Sequence, residues 1–119
     1  MNKIEFDEFA EKIFSIDKNI RFVGMIQNDK MHYLMKSGVK SYMDKEITEK
    51  SLSDAVKRWK YRIGLKQYIG DPFYAMAMFE KIKRFTFPIN NGVLCISTEI
   101  EVENDTIVAS MLDEIKKIR

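Results

Sequence analysis

The sequence predicts an α+β domain built on a five-stranded antiparallel sheet. Three observations carry that prediction. Apolar residues recur at helical spacing in three separated segments, at the start, the middle and the end of the chain. Short apolar or alternating segments bounded by turn residues stand between them. These strands come in runs of two and three, so they join as hairpins and pair antiparallel. The predicted order is α-β-β-α-β-β-β-α. With 119 residues and no repeat or linker, residues 1–119 read as one domain.

The first helix is expected over residues 3–16. Phe6, Phe9, Ala10, Ile13 and Phe14 fall on one face of a 3.6-residue period. Asn2 is placed to cap it, with Glu5 as the reciprocal partner of a capping box. Residues 20–27 are apolar on both parities, as in a central strand covered on two sides. The polar triplet Asn28-Asp29-Lys30 then turns the chain into a second strand over 31–37. Residues 38–46 read as a loop.

The longest helical pattern covers residues 48–69. Ser51 or Thr48 is the expected cap, and Leu52, Val56, Trp59 and Ile63 form the inner stripe. Gly64 is unfavourable inside a helix and marks a bend, while Gly70-Asp71-Pro72 ends the element. Residues 73–82 suit either a strand or a helix. A strand is preferred because the hairpin that follows needs a neighbour. In that hairpin Phe85, Phe87 and Ile89 face one side, and Asn91-Gly92 is the tight turn into a strand over 93–100. Pro88 belongs at an edge or a strand end. The last helix is expected over 104–118, capped by Asn104, with Ile107, Val108, Met111, Ile115 and Ile118 as its apolar stripe.

This element order, over the whole chain, resembles the Roadblock (dynein light chain) family and the wider profilin-like group. The resemblance implies that the first and last helices lie on one face of the sheet and the middle helix on the other. It also implies dimerisation through the middle helix and the following strand, and a regulatory or scaffold role of the kind many such proteins play toward small GTPases. A second resemblance lies in the sequence itself. Ile20-Arg21-Phe22-Val23-Gly24, Lys57-Arg58-Trp59, Arg62, Tyr74-Ala75-Met76 and the segment from Phe79 to Pro88 are similar to an uncharacterised protein family of ammonia-oxidising archaea. It implies an archaeal source and no particular activity.

Composition narrows the function classes. One Cys and one His exclude a disulfide framework and any His/Cys metal cluster, so no metal or cofactor is expected. The five glycines, at 24, 38, 64, 70 and 92, are too dispersed to cradle a phosphate. A Cys95–His32 nucleophile pair is disfavoured, with Cys95 read as a small buried hydrophobe and His32 as a half-exposed strand residue. Glu99, Glu101 and Glu103 share one parity and would suit a hard cation on a strand, but a solvated strand end is the preferred reading. The acidic N-terminus lacks an apolar signal core, and the longest apolar run, Phe73 to Phe79, is seven residues. Neither suits a leader or a membrane span, so a cytoplasmic protein is expected.

Charge is nearly balanced overall, with 20 basic and 18 acidic residues, yet it is segregated along the chain. From Lys57 to Lys66 there are five basic residues and no acid, whereas Glu99 to Glu114 holds six acids and no base. At about 100° per residue, Tyr61, Leu65 and Tyr68 fall opposite the Trp59 stripe of the middle helix. That leaves aromatic residues beside cations where a surface helix should be polar. Either this face binds a partner, or the bend at Gly64 buries it within the molecule.

The expected function is a non-enzymatic interaction, scaffold or regulatory module, homodimeric through the middle helix. Its candidate partner-binding residues are Lys57, Arg58, Tyr61, Arg62, Leu65 and Tyr68. The expected partners are a second copy and a protein with an acidic surface. One alternative is nucleic-acid binding, with Lys81, Lys83 and Arg84 as phosphate contacts. The other is a small-molecule sensor, whose adaptable interior would come from the eight Met and eight Phe.

Overall fold

The computed structural model describes residues 1–118 and realises the predicted order. Helix α1 (Lys3–Phe14) is held by the expected capping box. The Glu5 N–H donates to Asn2 Oδ1 at 2.8 Å, and the Asn2 N–H donates to Glu5 Oε1 at 3.1 Å. Its apolar stripe is buried throughout, and it ends two residues before the predicted limit.

Strands β1 (Ile20–Gln27) and β2 (Lys30–Met35) form the first hairpin. Asn28 and Asp29 both take positive φ, 52° and 65°, as its tight turn requires. The second meander comprises β3 (Ala75–Met78), β4 (Lys83–Ile89) and β5 (Gly92–Thr98), antiparallel throughout. The spatial order is β2-β1-β5-β4-β3, so the two hairpin groups meet along β1 and β5. At Gly92 a Cβ would stand 1.8 Å from the Ile26 carbonyl oxygen, and only glycine permits that approach. Residues 73–82 therefore hold a strand, though a short one. Pro88 sits past the end of β3, where its missing N–H breaks no ladder bond with that strand.

Several boundaries differ from the sequence reading. Helix α2 (Lys45–Ile63) starts inside the expected loop, capped by Asp44, whose Oδ1 accepts from the Ile47 N–H at 2.8 Å. The hydroxyls of Thr48 and Ser51 are used within the helix instead, on the carbonyls of Asp44 and Thr48. The predicted helix over 48–69 is broken after Ile63. Gly64 ends α2, and a single further turn, α3 (Lys66–Ile69), stops at Gly70 with φ 91°. Strand β5 stops at Thr98, because the Glu99 N–H leaves the ladder for the Asn19 carbonyl at 2.8 Å. Helix α4 (Asn104–Lys116) follows, with Glu103 as its cap in place of Asn104. The Asn104 side chain is taken by Lys83.

The faces are divided as the resemblance implies. Helices α1 and α4 cover one face, packing Phe6, Phe9, Ile13, Ile107, Met111 and Ile115 on Phe85, Phe87, Leu94 and Ile96. Helix α2 covers the other, placing Leu52, Ala55 and Trp59 on Phe22, Val93 and Cys95. In its inner stripe Thr48 and Ala55 join Leu52 and Trp59, Val56 is half-buried, and Ile63, the last residue of the helix, stays outside at 49% exposure. Among the described residues no helix is long and apolar enough to cross a membrane.

Candidate interaction surface

Helix α2 turns its basic, aromatic side away from the sheet. Lys57, Arg58 and Lys60 are exposed, and Tyr61 is 73% exposed. Beyond the break, Leu65 is partly buried and Tyr68 is 76% exposed. The bend at Gly64 therefore does not bury this aromatic face within the molecule. Arg62 behaves differently from its neighbours. It is half-buried, with its guanidinium carbon 5.7 Å from the centre of the Trp59 ring. That cation–π contact ties it to the inner stripe rather than to the outer face.

Two of the three acids of α2, Glu49 and Asp54, are already engaged. Asp54 lies 3.0 Å from the Lys50 ammonium and 3.9 Å from that of Lys57. The Lys50 hydrogen bond, and after it the charges of Lys50, Lys57 and Arg58, hold the Asp54 carboxyl below its ordinary value. Glu49 accepts from the Tyr33 hydroxyl at 2.7 Å, and this bond raises the Tyr33 phenol above its usual value.

The candidate phosphate contacts do not assemble. Lys83 shares parity with Phe85 and Phe87, so its side chain is buried on the α1/α4 side. Its ammonium donates to the Val102 carbonyl at 2.9 Å and to Asn104 Oδ1 at 2.8 Å. It fastens the entry of α4 and is not available to phosphate. Arg84, on the opposite parity, is half-buried and donates from Nη1 to Ser51 Oγ at 2.9 Å. Only Lys81 of the three is exposed.

The catalytic and metal candidates also separate. Cys95 is buried beneath α2, while the His32 ring stacks on Phe6 on the other side of the sheet. Glu99 pairs with Arg21. Glu103 accepts from the Asp105 and Thr106 backbone, and from the Thr106 hydroxyl. The Thr106 bonds pull its carboxyl below the ordinary glutamate value. Among the described residues no group of three or more His, Cys, Asp or Glu side chains forms a cation site.

What the sequence reading missed is the continuation of the surface past Leu65. Ile69 is 81% and Phe73 72% exposed, and Met78 and Phe79 are exposed at the end of β3. Nine of the fifteen exposed large apolar side chains among the described residues lie between Tyr61 and Phe79. That density marks one stretch of chain as unpartnered. β3 itself pairs only with β4, so its outer edge has free backbone donors and acceptors.

No protein-family model matches the chain, and comparison with curated proteins finds no relative. Solved structures do match. A Roadblock/LC7 domain from Streptomyces avermitilis superposes with a TM-score of 0.71 at 14% identity, over 95% of this chain and 93% of that one. MglC from Myxococcus xanthus gives a TM-score of 0.62 at 9% identity, over 95% of each chain. A structure described as MglB with tetrameric arrangement gives 0.67 at 6% identity, over 98% of this chain and 86% of that one. The expected resemblance holds at the level of architecture, and this chain has the fold of the Roadblock/LC7 domains.

Proposed function

We propose that the chain is a non-enzymatic scaffold or regulatory module that self-associates through the outer side of α2, the α3 turn and the free edge of β3. The observation that carries this reading is the concentration of exposed apolar side chains from Tyr61 to Phe79 beside an unpaired strand. Tyr61, Leu65 and Tyr68 are the anchors, since aromatic residues dominate the energetics of most interfaces. The β3 edges of two copies satisfy their backbone groups by pairing with each other. Lys57 and Arg58 form the polar rim, with Arg62 held against Trp59 behind it. The likeness to MglB, described in a tetrameric arrangement, supports assembly as a use of this fold.

The basic character of α2 sets a condition on the dimer. Asp54 and Glu49 are occupied within each chain, so like charges on the two helices repel. Association therefore strengthens as salt is raised. A partner with an acidic surface would show the opposite salt dependence. Light scattering of the wild type and of the double variant Tyr61→Asp, Tyr68→Asp tests the reading. The wild type is expected at twice the 14.1 kDa chain mass and the variant at 14.1 kDa. A monomeric wild type, or a variant that remains a dimer, overturns it.

A further inference from the structure

On the α2 side of the sheet, bordering the exposed stretch at Phe79, lies a cavity of about 390 Å³. The start of α2 supplies Thr48, the sheet supplies Phe22, Met35, Arg84 and Ser97, and the segments around Tyr42 and Ile82 complete the wall. Its volume falls within the range of about 300–1,000 Å³ usual for small-molecule sites. Most of the wall is apolar, and the polar groups on it are unequally satisfied.

Arg21 is fully engaged, on Glu99 and on the Lys40 carbonyl. Arg84 is not. Its Nη1 is bonded to Ser51, but its Nε and Nη2 are buried and have no partner. A buried guanidinium with unmet donors is costly, and such groups are normally satisfied. The two unmet nitrogens lie on one edge of the planar guanidinium. Their N–H bonds run parallel and match the two oxygens of a carboxylate. Among the described residues neither Arg84 nor Lys81 is paired with a carboxylate. The Tyr42 ring is held between two cations of the same wall, 4.7 Å from the Arg21 guanidinium carbon and 5.1 Å from the Lys81 ammonium. Glu80 is the one acid on the wall, outnumbered by Lys81 and Arg84, so the cavity combines an apolar body with a positive end.

We infer that this cavity binds a small organic carboxylate with an apolar body, its carboxylate taken by the Nε–H and Nη2–H of Arg84 when the side chain turns that buried edge toward the cavity. The apolar portion packs on Phe22, Met35, Met43 and Ile82. A carboxylate suits the site better than a phosphate. A phosphate's remaining oxygens need further donors, and the wall offers mostly apolar side chains in their place. The site borders the surface proposed for self-association at Phe79, but its wall comes from one chain and needs no second copy.

Calorimetric titration of the full chain with decanoate, decanol and inorganic phosphate tests this. Decanoate is expected to bind the wild type roughly tenfold to a hundredfold tighter than decanol, the range that charge-assisted bonds give. Inorganic phosphate should not bind. Arg84→Gln should bind decanoate no better than decanol, and Arg84→Lys should recover only part of the preference, since it restores charge without the fork. Ile82→Trp, at a half-buried position just before β4, should weaken both ligands at least about tenfold by filling the cavity, with an unchanged circular dichroism spectrum. The wild-type and Ile82→Trp results decide the matter even if Arg84→Gln does not fold. Equal binding of decanoate and decanol, no binding of decanoate, tighter binding of phosphate, an Arg84→Gln that keeps the preference, or undiminished binding by Ile82→Trp overturns the proposal.

Discussion

The two faces of the sheet are finished to different degrees. On the α1/α4 face, two helices and both hairpin groups contribute eighteen buried residues to one continuous core. On the α2 face a single helix serves five strands, and the buried cluster has six members. Helix α2 lies on β1 and β5, the middle of the sheet, and so leaves the β3 side thinly covered. The first face makes the domain stable. The second has both features that point outward, a cavity with an unsatisfied arginine and a run of exposed aromatics. Uneven covering therefore separates the part of the chain that folds it from the part available to bind.

Substitutions sharpen that contrast. Phe85→Ala on the finished face removes a fully buried ring and should cost about 3–5 kcal/mol in urea unfolding. Tyr61→Ala should stay within about 0.5 kcal/mol at a fixed, dilute concentration, because its ring is largely exposed in one chain. A large stability loss from Tyr61→Ala in monomeric protein would erase the distinction between the faces. Asp44→Ala removes the α2 cap and should cost about 1 kcal/mol, read as a lower denaturant midpoint at unchanged slope.

The smallest expected effect is on pH dependence. Glu103 and Asp54 both have carboxyls held below their ordinary values, by the Thr106 bonds and by Lys50 respectively. A depressed carboxyl stabilises the fold above its unfolded-state pKa and loses that contribution as pH falls through the folded-state value. Both groups are exposed or partly so, hence the effect is small. Glu103→Gln should flatten the acid limb of the melting temperature against pH slightly, without changing the neutral region's slope. An acid limb as steep as wild type would remove Glu103 from this account.

Most of the fold was legible in the sequence because apolar spacing states which side faces in. The α1 stripe, its capping box and the Asn91-Gly92 turn all appear as read. The start of α2 was not legible because its first buried residue is Thr48, a polar one, so the buried apolar pattern begins only at Leu52. Lys83 shows the limit of reading charge along the chain. Its positive charge suggested an outward contact, whereas its parity with Phe85 already placed it inside. The Tyr61–Tyr68 face was legible as a break in amphipathic order. Its extension through Ile69, Phe73 and Met78 was not, since exposure there depends on how α3 and β3 sit at the sheet margin. The Arg84 cavity was beyond sequence reading, because it joins residues from six separate stretches of chain.

The central claim is that the incompletely covered face is where a second copy binds. Sedimentation equilibrium of the wild-type chain at low and high salt tests it most directly. The account predicts a mass of twice 14.1 kDa, with tighter association at high salt, and a single-chain mass for Tyr61→Asp, Tyr68→Asp. A wild-type mass of one chain at every salt concentration would contradict it.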